Sequence, residues 1–360
     1  MIEEIHVELP PFFCPVDPVM HPDLQPVVQR SAKWAAEHRL VQNDDELARW
    51  MDSHAADFCG GMVPEASTER YQLVADWCYW AFSFDDAQCD QGSNATSTRQ
   101  IVPVAGRLLR LLECRDQRLC AGDRSLLGLY DLAQRYHRLS TATQYERWVD
   151  AQRRWLYGVV QQVECRAREE SPCFDDYLRT RLHEAGGPPV QAMLEFAEDV
   201  EIPAYEMDSQ PVRVVNELFW MVASLDNDIV SRHRESLQRS SMYNAVDVLA
   251  RDRSLSESDA EREVVRLRDR MMVLFLHVCD SLAAQASKPL SIHLDALRHG
   301  IRSNIDWSLR TPRYTRLRPS AEHPDGIAIR LHTTWADVPA DSSPEAPPLP
   351  SIAWWWGVLT

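Results

Sequence analysis

A chain of 360 residues can bury a full hydrophobic core, and no Gly/Ser-rich stretch divides its middle, so one catalytic-size domain with ragged ends is expected. The formal net charge of −16 argues against nucleic acid as a partner, because phosphate backbones are bound by dense Lys/Arg surfaces. Nine scattered cysteines without a CxxC pair indicate neither a disulfide framework nor a structural zinc site, which fits a reducing cytoplasm. The start, Met-Ile-Glu-Glu-Ile, lacks the layout of a signal peptide, and eighteen consecutive apolar residues occur nowhere. A soluble, cytoplasmic protein without integral membrane association is expected.

In chain order, residues 1–26 carry Pro10, Pro11, Pro15, Pro18, Pro22 and Pro26, which forbid a continuous helix and predict an extended Pro-rich arm. From Leu24 to about Arg310 the pattern is helical, with few glycines and no alternating Val/Ile/Thr runs. The main domain is therefore placed at 27–318 and read as all-α. The run Trp77-Cys-Tyr-Trp-Ala-Phe-Ser-Phe84 ends in Asp85-Asp86-Ala-Gln-Cys-Asp90, an aromatic helix that delivers three carboxylates at its end. After Arg181, the stretch Leu-His-Glu184-Ala185-Gly186-Gly187-Pro188-Pro189 should break a helix. Between Val214 and Ser236, Val215, Leu218, Val222, Leu225 and Ile229 mark a buried stripe. Residues 319–360 read as a flexible tail, Pro-Ser-rich over 337–352 and ending in the apolar cluster Ile352-Ala-Trp-Trp-Trp356.

The chemistry is carried by two separated sets of oxygen ligands. Asp85, Asp86 and Asp90 form the first. Asn227, Ser231 and Glu235 form the second; they recur every four residues and drift only ~40° per step, so one helix face can present all three. An amide oxygen, a hydroxyl and carboxylates are hard ligands of the kind that hold Mg2+ rather than zinc. Trp77, Trp80, Phe82 and Phe84 crowd the approach to the acids, more aromatic area than a plain surface helix would put beside charge. Phe82 lies three residues before Asp85, hence ~60° from it and one turn deeper, where it should face substrate carbons. Trp220 and Trp307, on the helices that carry the motifs, could line the cavity or simply pack in the core. HExxH, GxSxG, P-loop and GxGxxG motifs are absent.

With these motifs the chain resembles the bacterial class I terpene synthases, all-α cyclases that ionise linear isoprenyl diphosphates. The family's Asn-Asp-x-x-Ser-x-x-x-Glu motif is matched by Asn227, Asp228, Ser231 and Glu235, and its aspartate-rich motif resembles Asp85 to Asp90. One departure is that Asp90 falls five rather than four residues after Asp85, with Cys89 in the usual acidic place, which puts direct ligation by Asp90 in doubt. The resemblance implies that Arg181, 46 positions before Asn227, senses the diphosphate, that Arg234 precedes the motif glutamate as a basic group, and that Arg313-Tyr314 is the C-terminal Arg-Tyr pair. It further implies a single-domain helical bundle around a central cavity, Mg2+ (typically three ions), and a homodimer as a common assembly.

The implied reaction is Mg2+-dependent ionisation and cyclisation of an isoprenyl diphosphate, with farnesyl diphosphate giving a sesquiterpene as the family's commonest case. Geranylgeranyl diphosphate giving a diterpene is the close alternative, ahead of a C10 or methylated C11 substrate. A chain-elongating prenyltransferase would carry a second aspartate-rich motif in place of Asn227 to Glu235. From a different class, an all-α Mg2+-dependent pyrophosphohydrolase uses acidic helical pairs, but needs neither the aromatic flank nor the terminal Arg-Tyr pair.

Overall fold

The computed structural model describes residues 3–90, 93–168, 171–238, 243–319 and 323–359. The described residues are mostly helical. Helices α1 (Leu24–Glu37), α2 (Asp44–Met51), α3 (Ala55–Gly60) and α4 (Thr68–Phe84) form the first part, followed by α5 (Thr98–Cys114), α6 (Arg124–Leu139) and α7 (Ala142–Ala167). The middle holds α8 (Phe174–Glu184), α9 (Gly187–Ala197), the short α10 (Ala204–Met207) and α11 (Gln210–Leu237). The last are α12 (Ala245–Arg253), α13 (Glu257–Ala283), α14 (Lys288–Ser308), and the single turns α15 (Pro312–Thr315) and α16 (Pro350–Ala353). Local chemistry sets the starts. Ser67, Asn43, Asp123 and Ser256 each accept a backbone N–H from the first turn of the helix they precede, and Thr141 forms a full capping box with Gln144.

α11 is the central element and packs against α8, α9, α13 and α14. From Val214 to Ser231 every residue on it is buried except Ala223 and Asn227. Those two are four apart and share a face of α11. α4 behaves alike: Leu73 to Ala81 are buried and Phe82 is the first partly exposed residue toward the acids.

The chain ends differ from the flexible tail expected over 319–360. Residues 3–8 form β1 (Glu3–Glu8), which pairs in parallel with β3 (Ile327–His332), while β2 (Arg316–Leu317) pairs antiparallel with β3. Beyond the sheet, Phe12 bridges Trp335, and Arg302 donates to the Val16 carbonyl at 2.7 Å while stacking 3.8 Å from the Trp335 ring. The terminal tryptophans are packed. The Trp355 indole N–H donates to Glu217 on α11 at 2.8 Å, Arg213 lies over Trp354 at 5.0 Å, and Arg270 lies over Trp356 at 5.6 Å. Ser351 donates through its N–H and hydroxyl to Asp175 at the start of α8. The Pro-Ser composition predicts little helix or strand, but it does not count the anchors: large aromatic rings that dock outweigh the entropy of a few ordered polar residues.

Both ends meet one buried ion cluster. Arg268 on α13, 1% exposed, makes a two-pronged contact with Asp226 at 2.6 and 3.1 Å, pairs with Asp269 at 3.1 Å, and donates to the Phe13 carbonyl. Asp269 in turn accepts the Ala340 N–H at 2.8 Å. Asp226 immediately precedes Asn227, so the arm, the C-terminal segment and α11 are tied at one point.

Trp355→Ala should therefore lower the unfolding free energy by roughly 3–5 kcal/mol, since it deletes a fully buried ring and its hydrogen bond. Denaturant titration of the variant checks this, and a loss below about 1 kcal/mol would mean that the segment is held only loosely.

Candidate active site

The aspartate wall begins where α4 gives way to a π-helical turn, Asp85–Asp90. Backbone bonding from residue i to i+5 makes this turn wider than an α-turn, so α-helical spacing does not apply to the backbone of Asp85–Asp90. Asp85 and Asp86 are partly buried; the side chain of Asp90 lies outside the described residues.

The opposite wall is α11, which carries Asn227, Ser231 and Glu235 on one helix. Ser231 donates to Glu235 at 2.6 Å, and the other Glu235 oxygen accepts from the Asn244 amide at 3.0 Å. Asn244 also donates to the Asp228 carbonyl at 2.9 Å, while its own oxygen caps α12. It is a supporting residue that sequence reasoning missed; its signal was its place as the N-cap asparagine just after the motif.

Adjacent residues Arg313 and Tyr314 on α15 join the two walls. Arg313 reaches both Asp86 oxygens at 2.6 Å and comes within 3.6 Å of Asp85, with its guanidinium 5.2 Å above the Phe82 ring. The Tyr314 hydroxyl accepts from the Asn227 amide at 2.5 Å. Asn227 accepts through its oxygen from Arg181 at 3.1 Å. Arg181 also donates to Asp228 at 2.7 Å and to Glu184 at 2.6 Å. Burial works against the Arg181 charge, but Asp228 and Glu184 outweigh it and hold its pKa above the ordinary guanidinium value. Burial likewise pushes the Asp228 carboxyl up to about 7 against the pull of Arg181 and the hydroxyl of Tyr177. Arg234 stands at the same mouth, its pKa lowered by burial and then by repulsion from Arg313, and its buried Nε has no protein partner. Two crowded arginines, one with a free N–H, are a site short of an anion.

The helix break falls at the expected sequence. α8 ends at Glu184, Gly186 adopts φ 79° and α9 begins at Gly187. A side chain at Gly187 would collide with Trp220, its ideal Cβ lying 2.7 Å from that residue, so glycine is required for close packing there. Trp155 on α7 donates its indole N–H to the Glu184 carbonyl at 3.0 Å, fixing the break to the bundle. Below the acids, Phe82 stacks on Trp307 at 5.3 Å and meets Phe58 edge-on at 5.8 Å. Phe82 is therefore both packed on an aromatic layer and partly exposed at the mouth.

Among the described residues no three His, Cys, Asp or Glu side chains converge to hold an ion by themselves. The donors are instead split between Asp85/Asp86 and Asn227/Ser231/Glu235, all hard oxygens, a set that fits Mg2+ shared with a third, anionic ligand rather than an all-protein cage.

Residues 76–272 match the family described as "Terpene synthase family 2, C-terminal metal binding". The chain is 35% identical to a spiroviolene synthase from Streptomyces violens, over 97% of both chains, and 32% identical to a phomopsene synthase from Allokutzneria albata, again over 97% of each. It is also similar to a solved structure of a protein from ancestral sequence reconstruction, at 39% identity and a TM-score of 0.86, covering 98% of this chain and 99% of that one. The fold is shared with 2-methylisoborneol synthase from Streptomyces coelicolor, at 18% identity, TM-score 0.78, covering 84% of this chain and 96% of that one. The chain belongs to the bacterial class I terpene synthases. It is an enzyme of isoprenoid biosynthesis that acts on an isoprenyl diphosphate, with an all-α class I terpenoid synthase fold. No described helix is long and apolar enough to cross a membrane.

Asp85→Ala and Asn227→Ala should each cut turnover on the order of 100-fold or more. Melting temperature should stay near that of the parent, because both residues stand at a partly exposed mouth. Steady-state kinetics at saturating Mg2+, with a melt on the same preparation, decides the point; normal turnover by either variant removes it from the ligand set.

Proposed function

We propose that this enzyme ionises and cyclises a long-chain isoprenyl diphosphate with Mg2+. One observation carries the reading: two hard-oxygen sets and three arginines meet at the end of an aromatic-walled interior, bridged by Arg313 and Tyr314. Asp85 and the Asn227/Ser231/Glu235 set would hold the metal, with Asp86 and Asp90 in support, and bound Mg2+ would supply Lewis-acid stabilisation of the departing diphosphate. Arg181, Arg234 and Arg313 donate charge-assisted hydrogen bonds to the diphosphate, joined by the Tyr314 hydroxyl. Arg181 responds to the anion through the break at Gly186, because it shares Glu184 with the last turn of α8. Phe82, partly exposed at the mouth, borders the path of the carbocation, and the apolar wall excludes water that would quench it. The released diphosphate serves as the final base. Such cyclases commonly pair as homodimers, and the cytoplasm is where the substrate would be met.

Farnesyl diphosphate is the first substrate choice, and it is the diphosphate named for the T-muurolol synthase of Streptomyces clavuligerus, 29% identical to this chain. A specific observation favours the C20 alternative. The residue one turn inward from Asn227 is Ala223, partly exposed on the same face of α11. A small side chain there leaves length in the pocket where a large one would shorten it. A diterpene cyclase is also among the relatives, at 24% identity.

Incubation with C10, C15 and C20 diphosphates and Mg2+, followed by gas chromatography with mass detection, should give a cyclic terpene from the C15 or C20 substrate. Linear alcohols alone, or pyrophosphate hydrolysis without a terpene, would overturn the cyclase reading. Phe82→Leu should retain diphosphate release and shift the products toward early-quenched linear or monocyclic species. Unchanged product ratios with a lowered melting temperature would make Phe82 a packing residue only.

A further inference from the structure

Glu235 stands in the last turn of α11, partly exposed, with a long side chain whose torsions must all be fixed before it can serve an ion. Ser231 orders one of its oxygens, donating to Oε1 at 2.6 Å, but Ser231 belongs to the same oxygen set. The other oxygen, Oε2, accepts from the Asn244 Nδ2 at 3.0 Å. Asn244 is fully buried, and its contacts fix its orientation. The nitrogen that reaches Glu235 also donates to the Asp228 carbonyl at 2.9 Å, and the amide oxygen accepts the Val246 N–H at 3.1 Å as the N-cap of α12. Turning the amide over would set its nitrogen against an N–H and its oxygen against two acceptors. The next residue, Ala245, gives its N–H to the Asp228 carboxylate at 3.3 Å, and the Tyr177 hydroxyl of α8 donates to the same oxygen. α12 packs in turn on α8 and α13, so Asn244 ties the end of α11 to a rigid neighbouring frame.

Asn244 is not itself an ion ligand in this arrangement. Its nitrogen has no lone pair to offer a cation, and its oxygen is engaged by α12. What it does is hold a carboxylate. A carboxylate has about four lone-pair sites, so the hydrogen bonds from Asn244 and Ser231 orient Glu235 and still leave it able to bind a cation. Partners that orient a ligand in this way govern metal affinity nearly as strongly as the ligand does. We propose that Asn244 is the positioning residue of Glu235: it holds that carboxylate in place for Mg2+ and so sets how tightly the enzyme takes up Mg2+ with a diphosphate, touching neither the ion nor the substrate. This rests on the reading of Glu235 as a metal ligand given above.

The test compares the parent with Asn244→Ser, Asn244→Ala and Glu235→Gln. Serine keeps an oxygen to cap α12 but is too short to reach Glu235, whereas alanine loses both contacts. The readout is the rise in melting temperature as Mg2+ is titrated at a fixed concentration of inorganic diphosphate, which reports binding without turnover. Complexation of Mg2+ by diphosphate in solution is the same for every variant and cancels in the comparison. Both Asn244 variants should move the Mg2+ midpoint up about tenfold or more, alanine should melt below serine, and the Mg2+ concentration for half-maximal rate should rise in step. A merely structural amide predicts lower melting temperatures with an unchanged Mg2+ midpoint, and that outcome overturns the proposal while leaving the metal site intact. Failure of both Asn244 variants to fold would overturn it too, by making the amide a requirement of the fold. If Glu235→Gln keeps the parent's Mg2+ midpoint, Glu235 is not a ligand, and the reading on which the proposal rests falls first.

Discussion

The contact between Arg313-Tyr314 and the two ligand walls is the constraint on which the site depends. A chain of formal charge −16 places Asp85, Asp86, Asp228 and Glu235 near one mouth, where like charges would push α4 and α11 apart. Arg313 takes up Asp86, Tyr314 takes up Asn227, and Arg181 takes up Asn227 and Asp228. Partly buried charge-assisted contacts of this kind are stronger than exposed ones and set the distance between the walls. They also explain how an acidic protein can bind an acidic substrate. The arginines that now compensate the carboxylates are the groups a diphosphate would engage, while cations would take over the carboxylates.

Two backbone irregularities serve this arrangement, and each has a local cause. The π-helical turn Asp85–Asp90 carries one residue more than an α-turn, which keeps the acidic segment in register with the helix before it. The break after Glu184 is made by Gly186 at φ 79° and by Pro188-Pro189, which start α9 without needing the donors that an interior position would require. Because Trp155 holds the Glu184 carbonyl and Gly187 lets Trp220 pack close, the break is a fixed feature of the bundle on one side and a neighbour of Arg181 on the other.

Local pattern made much of this legible. The alternation of apolar residues at three and four marked α11, and the glycine-proline run marked the end of α8, because helix periodicity and backbone permissiveness are written in adjacent residues. What could not be read depended on distant partners. Nothing near Asp226 indicates that Arg268, 42 residues on, will pair with it, or that Phe13 will lend its carbonyl. The C-terminal segment was read as mobile because composition describes the entropy of the chain, whereas its order comes from Glu217, Asp175 and Arg213 on other helices. The π-helical backbone of Asp85–Asp90 was not legible for a related reason: an α-helical wheel assumes the very geometry that the extra residue changes.

The interior beneath the mouth follows a different rule from the mouth itself. At the mouth, Arg313 and Arg181 each meet two carboxylates; below, the indole N–H groups of Trp77 and Trp220 and both amide atoms of Gln152 are buried without protein partners. In an ordinary core such groups are paired or replaced, because each costs stability and contributes nothing to packing. For the indoles, the large apolar ring surface that each buries outweighs the cost of one unanswered N–H.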